Sequence, residues 1–436
     1  MPERHNFFRR ASVVIAMATA VAVAVSGCGA SSGGESAEGP STIGLTWWGN
    51  AVRDENTRAL ADAFTELDPD ITVETTNSDW GGYWDKLATQ VAAGNAPDVI
   101  QMDDKYIREY GGRGALLELS DAGIDTSMFV PGSVDPGETA EGLMGISAGI
   151  IAPAIVINPA FFEAAGVAIP DDSTWTWDDF TALAAELTEK SPEGTFGTAL
   201  PIINELSINV WLRQHGKEAF SEDGLGFDAD DLAGWFEFNL DLQEAGAAPG
   251  ADKAAEDMGK PIDQTAFALG QVGMNWIWSN QLNAYDAAMG GGLQLLRYPS
   301  LDGTAADAQL WYKASMLWSI SARSKDPQAA AELINFLVNT PDAAQIQTTE
   351  RGIPANTDLR ESIQDKLTDS DEVHVAYLDA IESELGAPVV LPPVGAGNFP
   401  LVLQRYSEDV LFGRTTPDQA ATAMIDELEA NIAAAG

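Results

Sequence analysis

Ile43-Gly-Leu-Thr-Trp-Trp48, then Val52–Leu67, then Ile71-Thr-Val-Glu-Thr75 is the stretch that decides the fold. Its outer members are short β-prone runs. Between them, Ala59, Leu60, Ala63, Phe64 and Leu67 recur at helical spacing and fall on one face. The pattern then repeats, with Tyr83–Ala93 helical and Asp98–Met102, just after Pro97, extended. Strands separated by helices of this length predict βαβ units and a mostly parallel sheet. Further out, Leu143–Ser147, Ala154–Asn158, Gly273–Trp278 and Met316–Ser321 read as strands. Helices are expected from Asn158-Pro159, over Trp177–Lys190, within Asn204–Gly246, and over Asp326–Asn339, Glu372–Leu385, Phe399–Phe412 and Pro417–Ala434. Two α/β lobes suit 436 residues better than one giant sheet. The extended tract Ile146–Asn158, with Gly149 and Pro153, is the expected hinge.

Charge narrows the partners. With 23 Lys and Arg against 66 Asp and Glu, the net charge of -43 repels phosphate backbones, so no nucleic-acid partner is expected. It also disfavours anionic lipid surfaces, apart from a covalent anchor. One cysteine and three scattered histidines leave no intramolecular disulfide and no Cys or His metal cluster. No cofactor is expected; whether calcium binds among so many acids stays open.

The N-terminus reads as an address. Arg4, Arg9 and Arg10 precede the uncharged run Ala11–Val25, which is too short for a stable membrane span. Val25-Ser-Gly-Cys28 looks like a bacterial lipobox, which makes residues 1–27 a signal peptide and Cys28 the lipidated residue. Residues 28–41, rich in Gly, Ser and Ala, are expected to be a flexible tether. A secreted protein anchored to the outer face of the cytoplasmic membrane is the expectation.

The aromatic residues gather near predicted strand ends, beside planar polar groups: Trp48-Gly-Asn50, Met102-Asp-Asp104, Asn275-Trp-Ile-Trp278 and Ser279-Asn280. Sugar rings offer apolar faces edged by hydroxyls, so a carbohydrate site needs flat aromatic platforms with Asp, Asn or Arg around them. Core packing competes for every Trp. Adjacent Trp47 and Trp48 point to opposite faces of a strand, so one can be core and the other cleft, whereas Trp276 and Trp278 share a face.

Several blocks resemble family 1 extracellular solute-binding proteins. These are Phe64-Thr-Glu-Leu-Asp-Pro69-Asp-Ile-Thr-Val73, Ala93-Gly-Asn-Ala-Pro97-Asp98-Val99 and Tyr110-Gly-Gly-Arg-Gly114. Val156-Ile-Asn158-Pro159, Trp175-Thr-Trp177-Asp-Asp-Phe180 and Arg351-Gly-Ile-Pro354 follow in the same order. The resemblance runs from about Thr42 to the C-terminus and is strongest to the maltodextrin and oligosaccharide binders. It implies an α/β fold of the two-lobed periplasmic-binding-protein type II, each lobe a mostly parallel sheet flanked by helices, with a hinge between lobes. The expected lobes are 42–150 with about 295–350, and 151–294 with about 351–436. It implies, too, a monomer that captures a sugar by hinge closure and hands it to the permease of an ABC importer.

By position, the resemblance implies ligand contacts at Trp48, Asn50, Arg53, Asp103, Asp104, Tyr106, Trp211, Asn275, Trp276 and Trp278, and in the segment before Phe399. Trp80, Trp311 and Arg351 join them on aromatic and guanidinium chemistry. Lys105 stands where maltodextrin-type proteins tend to carry an acid, so the hydroxyl pattern read here is expected to differ.

Three rival readings compete with a sugar-binding protein. A polyol would use the same cleft, and a phosphorylated or carboxylated ligand would recruit more Arg and Lys into it than stand near the candidate positions. A glycoside hydrolase would need carboxylates opposed across a bond, and Asp103 and Asp104 are adjacent. Gly145-Ile-Ser147-Ala-Gly149 matches a nucleophile elbow, with His374 downstream, yet β-rich sequence follows where a helix is required. No catalytic residue is assigned, and a binding protein rather than an enzyme is expected.

Overall fold

The computed structural model describes residues 40–222 and 224–435; the expected signal segment, the expected lipidation at Cys28 and the expected tether up to residue 39 lie outside the described residues. The strands of the two main sheets are β1 (Ser41–Trp48), β2 (Ile71–Ser78), β3 (Val99–Met102), β4 (Ile146–Ile151), β5 (Pro153–Ile157), β6 (Phe196–Thr198), β7 (Val272–Trp278), β8 (Gln294–Leu296) and β9 (Lys313–Ile320); Glu138–Thr139 and Gly142–Leu143 form a separate small ribbon. The helices that matter for the site are α1 (Ala51–Leu67), α2 (Trp80–Ala93), α3 (Asp104–Gly112), α4 (Trp177–Lys190) and α5 (Glu205–Gln214). Behind them pack α6 (Ala229–Glu244), α7 (Phe399–Leu411) and α8 (Pro417–Ala435).

Two sheets organise two lobes. The five-stranded sheet has the order β2-β1-β3-β9-β4, and the four-stranded sheet β8-β5-β7-β6. Each carries its own core. Ile43, Leu45, Trp47, Leu60, Phe64, Val99 and Trp318 pack under the first, and Ile155, Ile157, Phe180, Leu187, Met274 and Trp276 under the second. A third apolar cluster joins α6, α7 and α8 through Trp235, Phe236, Phe399, Leu403 and Met424.

The fold class stands, but the pairing is more mixed than the alternation predicts. β1 runs parallel to β2 and β3, and β6 parallel to β7. β9 is antiparallel to both β3 and β4, and β5 is antiparallel to β7 and β8. The reason is the route of the chain. Parallel pairing needs a crossover connection within one sheet, as between β1, β2 and β3, whereas β5 and β9 arrive by crossing from the other lobe and are free to pair antiparallel.

The sheet change falls inside the expected hinge. β4 ends at Ile151 in one sheet and β5 begins at Pro153 in the other, leaving Ala152 between them. Pro153 is the first residue of β5, where a missing N–H is tolerated. Ser279 clamps Ala152: the Ala152 N–H donates to Ser279 Oγ at 3.0 Å, and the Ser279 N–H donates to the Ala152 carbonyl at 2.9 Å. His374 Nε2 lies 2.7 Å from the same hydroxyl, and burial pushes its imidazole down to about 3, so it stays neutral. The return at 351–353 lies alongside, with Ile150 and Ile353 exchanging both backbone hydrogen bonds. Gly149 makes that approach possible, since a Cβ there would sit 2.2 Å from the Arg351 carbonyl oxygen.

One expected boundary moves. Tyr298, Leu310, Trp311 and Tyr312 pack in the core of the second sheet, so the chain re-enters the first sheet at Lys313 rather than near residue 295. A sequence reading takes the end of one apolar run as the crossing; here a loop built on aromatic side chains extends the second lobe.

Candidate binding cleft

The carboxyl ends of β1, β3 and β7 open into one cleft of about 560 Å3, the place where open α/β sheets bind ligands. Trp48 ends β1, and strand alternation separates it from Trp47, which is fully buried in the core beneath Arg58. Trp80 opens α2 and meets Trp48 edge to face at 5.1 Å. On the other wall Trp278 ends β7 and meets Trp311 edge to face at 6.0 Å. Each lobe therefore presents an aromatic wall.

The polar groups come from helix starts. Asp103 caps α3, its carboxylate accepting the Lys105 N–H at 3.1 Å. Asp104 pairs with Lys313 at 2.9 Å, and Lys313 lies 5.8 Å from the Trp278 ring centre. Lys105 crosses the cleft to Glu205 at 3.4 Å. Burial pushes the Asp103 carboxyl up to about 7, with Lys313 working against the shift and Asp104 adding to it. Burial would raise Asp104 as well, yet the Lys313 ammonium beside it holds it below the usual carboxylate range.

Two acceptors are left over. Asp104 Oδ1 and Asn209 Oδ1 are buried and have no hydrogen-bond partner among the described residues. Both residues line the cleft, Asp104 from α3 on the first lobe and Asn209 from α5 on the second. A buried acceptor without a donor costs about 1–3 kcal/mol, so both are primed for a ligand rich in O–H or N–H groups.

Of the residues expected from sequence, Trp48, Trp80, Asp103, Asp104, Trp278 and Trp311 line the cleft. The others do not, each for a local reason. Asn50 caps α1, accepting the Arg53 N–H at 2.9 Å. Arg53 pairs with Glu350 at 2.9 Å. Tyr106 packs behind Trp84, with ring centres 4.0 Å apart. Trp211 is held between Phe238 and His215. Asn275 donates to Tyr285 Oη at 3.0 Å and does not line the cleft. Trp276 stacks on Trp177 at 5.9 Å under α4 and donates to the Ala199 carbonyl. Arg351 is fully buried in the first lobe, bonded to Gln101 and Thr57 and lying over Trp318. The nucleophile-elbow match also dissolves: Ser147 is buried within β4, its hydroxyl donating to the Ser133 carbonyl.

Sequence reading missed Glu205, Asn209 and Lys313. The first two had a signal, since they stand four apart at the start of a helix and so share a face. Trp211, two residues beyond Asn209, turns the opposite way. The Pro388–Pro392 segment, which lines the cleft, falls within the stretch expected before Phe399.

Residues 49–344 match the family described as bacterial extracellular solute-binding protein. A curated relative, an uncharacterized lipoprotein encoded in the oleD 5' region of Streptomyces antibioticus, is 28% identical over 219 residues. That match covers 48% of this chain and 46% of the relative, about half of each. An extracellular solute-binding protein family 1 structure from Alicyclobacillus acidocaldarius superposes with a TM-score of 0.73 at 24% identity, covering 91% of this chain and 100% of that one. A periplasmic oligogalacturonide binding protein from Yersinia enterocolitica gives 0.76 at 22% identity, over 90% and 99%.

Proposed function

This chain belongs to the bacterial extracellular solute-binding proteins, and from that premise we propose that its solute is a neutral oligosaccharide, captured by closure of the two lobes and passed to the membrane permease of an ABC importer. The carrying observation is the pair of buried, unpartnered acceptors, one on each lobe, inside an aromatic-walled cleft. Aromatic faces suit the apolar sides of sugar rings, and orphan acceptors suit hydroxyl donors. Because the acceptors sit on both lobes, a hydroxylated ligand binds the closed form better than the open one, which is the condition for driving closure.

Charge favours neutral sugars over phosphorylated or uronic ligands. Lys105 and Lys313, the cationic residues lining the cleft, are already paired with Glu205 and Asp104. An anionic ligand would have to break one of these pairs. Hydrolysis is not favoured either, because Asp103 and Asp104 share one wall and Glu205 opposite is held by Lys105. In the same reading Cys28 carries a lipid that tethers the monomer to the outer face of the membrane.

Calorimetric titration against neutral, uronic and phosphorylated sugars, with recovered ligand checked for cleavage, tests the reading. Micromolar or tighter binding of an intact neutral sugar supports it. Preference for a charged sugar, or cleavage, overturns it and leaves family membership standing.

A further inference from the structure

The cleft does not close off the concave surface. Beside it a groove of about 830 Å3 runs along the second lobe. Its place follows from topology: β6 is the edge strand of the four-stranded sheet, so loops rather than another strand border it. Glu205, Leu206, Trp278 and Gln281 line both cavities, and the two therefore meet at the rim of β7.

The chemistry of the groove continues that of the cleft. Trp278 belongs to both, and Trp276 underlies the groove with its indole N–H already committed to Ala199. Asn275 donates to Tyr285, while its Oδ1 accepts no hydrogen bond among the described residues. Gln271 and Leu269 stand exposed on the wall. Its charges are partly paired, Lys260 lying beside Glu256 and Asp257 and Lys253 over Phe196, while Glu193 adds an acid to the wall. Amides, aromatic edges and an excess of acids make a surface for hydroxylated groups without negative charge.

We propose that the groove is the outward continuation of the binding site, so that the ligand is a linear oligosaccharide whose inner units lie between the lobes. Its chain passes Trp278 and leaves along the edge of the second lobe. The inference rests on the sugar reading above and adds length and direction to it. It also assigns Gln271, Leu269 and Lys253 to recognition of the outer units.

The test uses the purified protein and two glucan series, α-1,4-linked and β-1,4-linked, each from two to seven units, titrated calorimetrically. Gln271→Trp fills the groove from an exposed position, and Lys253→Ala removes one wall. The expected result is an affinity that rises at least about tenfold from the shortest binder to the longer oligomers. Gln271→Trp abolishes that rise and keeps the affinity for the shortest binder within about twofold, which also certifies that the variant is folded. Affinity independent of length, or a rise that survives both substitutions, overturns this inference alone. Failure of every oligomer in both series overturns the sugar reading for these glucans and this inference with it.

Discussion

Two aromatic clusters of similar composition meet different fates. In the first lobe Trp48, Trp80, Trp84 and Tyr106 pack against one another, with centroids 4.0 to 6.3 Å apart, yet Trp80 keeps 43% of its surface exposed. In the second lobe Trp177, Trp276, Phe180 and Tyr298 pack as closely, and Trp276 is 4% exposed. The difference is the cover. α4 lies across the second cluster, whereas α2 begins inside the first with Trp80 as its opening residue. An aromatic residue near a strand end becomes a binding surface only where nothing is laid over it.

The largest effect that tests this contrast is on stability. Trp276→Ala is expected to cost about 3–5 kcal/mol of unfolding free energy by urea denaturation, as for a large buried aromatic. A loss below about 1 kcal/mol would make Trp276 a surface platform and erase the distinction. Next comes Asp103, buried at the foot of the first cluster and faced by Asp104, Lys105 and Lys313. Its carboxyl titrates near 3.9 in an unfolded chain and at about 7 here. The folded state therefore holds the proton more tightly, and the associated stability is full below about pH 4 and lost as pH rises to about 7. Asp103→Asn keeps the helix cap and removes the titration. The variant should gain about 2–4 kcal/mol on wild type between those limits; parallel pH profiles would show that Asp103 is ionised throughout.

Trp278→Ala is expected to lower sugar affinity about tenfold, or ~1.4 kcal/mol, with a smaller loss of stability than Trp276→Ala. The reverse ranking would exchange the roles of these neighbours. The smallest effect belongs to the pair joining the lobes. Glu205→Gln breaks an ion pair about one-third exposed and worth about 0.2–1 kcal/mol. It should enlarge the ligand-free protein slightly in small-angle scattering and leave the ligand-bound size unchanged.

Much of the architecture was legible because apolar periodicity reports what each element buries. The alternation from Ile43 to Met102 marks β1, α1, β2, α2 and β3 in order, with β2 running on to Ser78 and α2 starting early at Trp80, and Trp47 and Trp48 divide between core and cleft as strand geometry requires. The site was half legible. Trp48, Asp103 and Trp278 stand where strands end, and sequence marks strand ends well. Asn209 and Lys313 could not be weighed without knowing which faces oppose each other across the lobes. Arg351 misled because a lone arginine among so many acids suggests a ligand anchor, while its actual partners are Gln101, Thr57 and the face of Trp318.

The crossings between lobes lie side by side. Ile150 pairs with Ile353, Ile151 pairs with Lys313, and Ala152 is pinned by Ser279. Sliding one lobe over the other would shear this ladder and break its hydrogen bonds together. Rotation about the line of crossings bends each chain at one place and keeps them. In the closure proposed above, the molecule would act like a caliper on a single pin, its jaws having one easy path and the ligand setting the gap at which they stop.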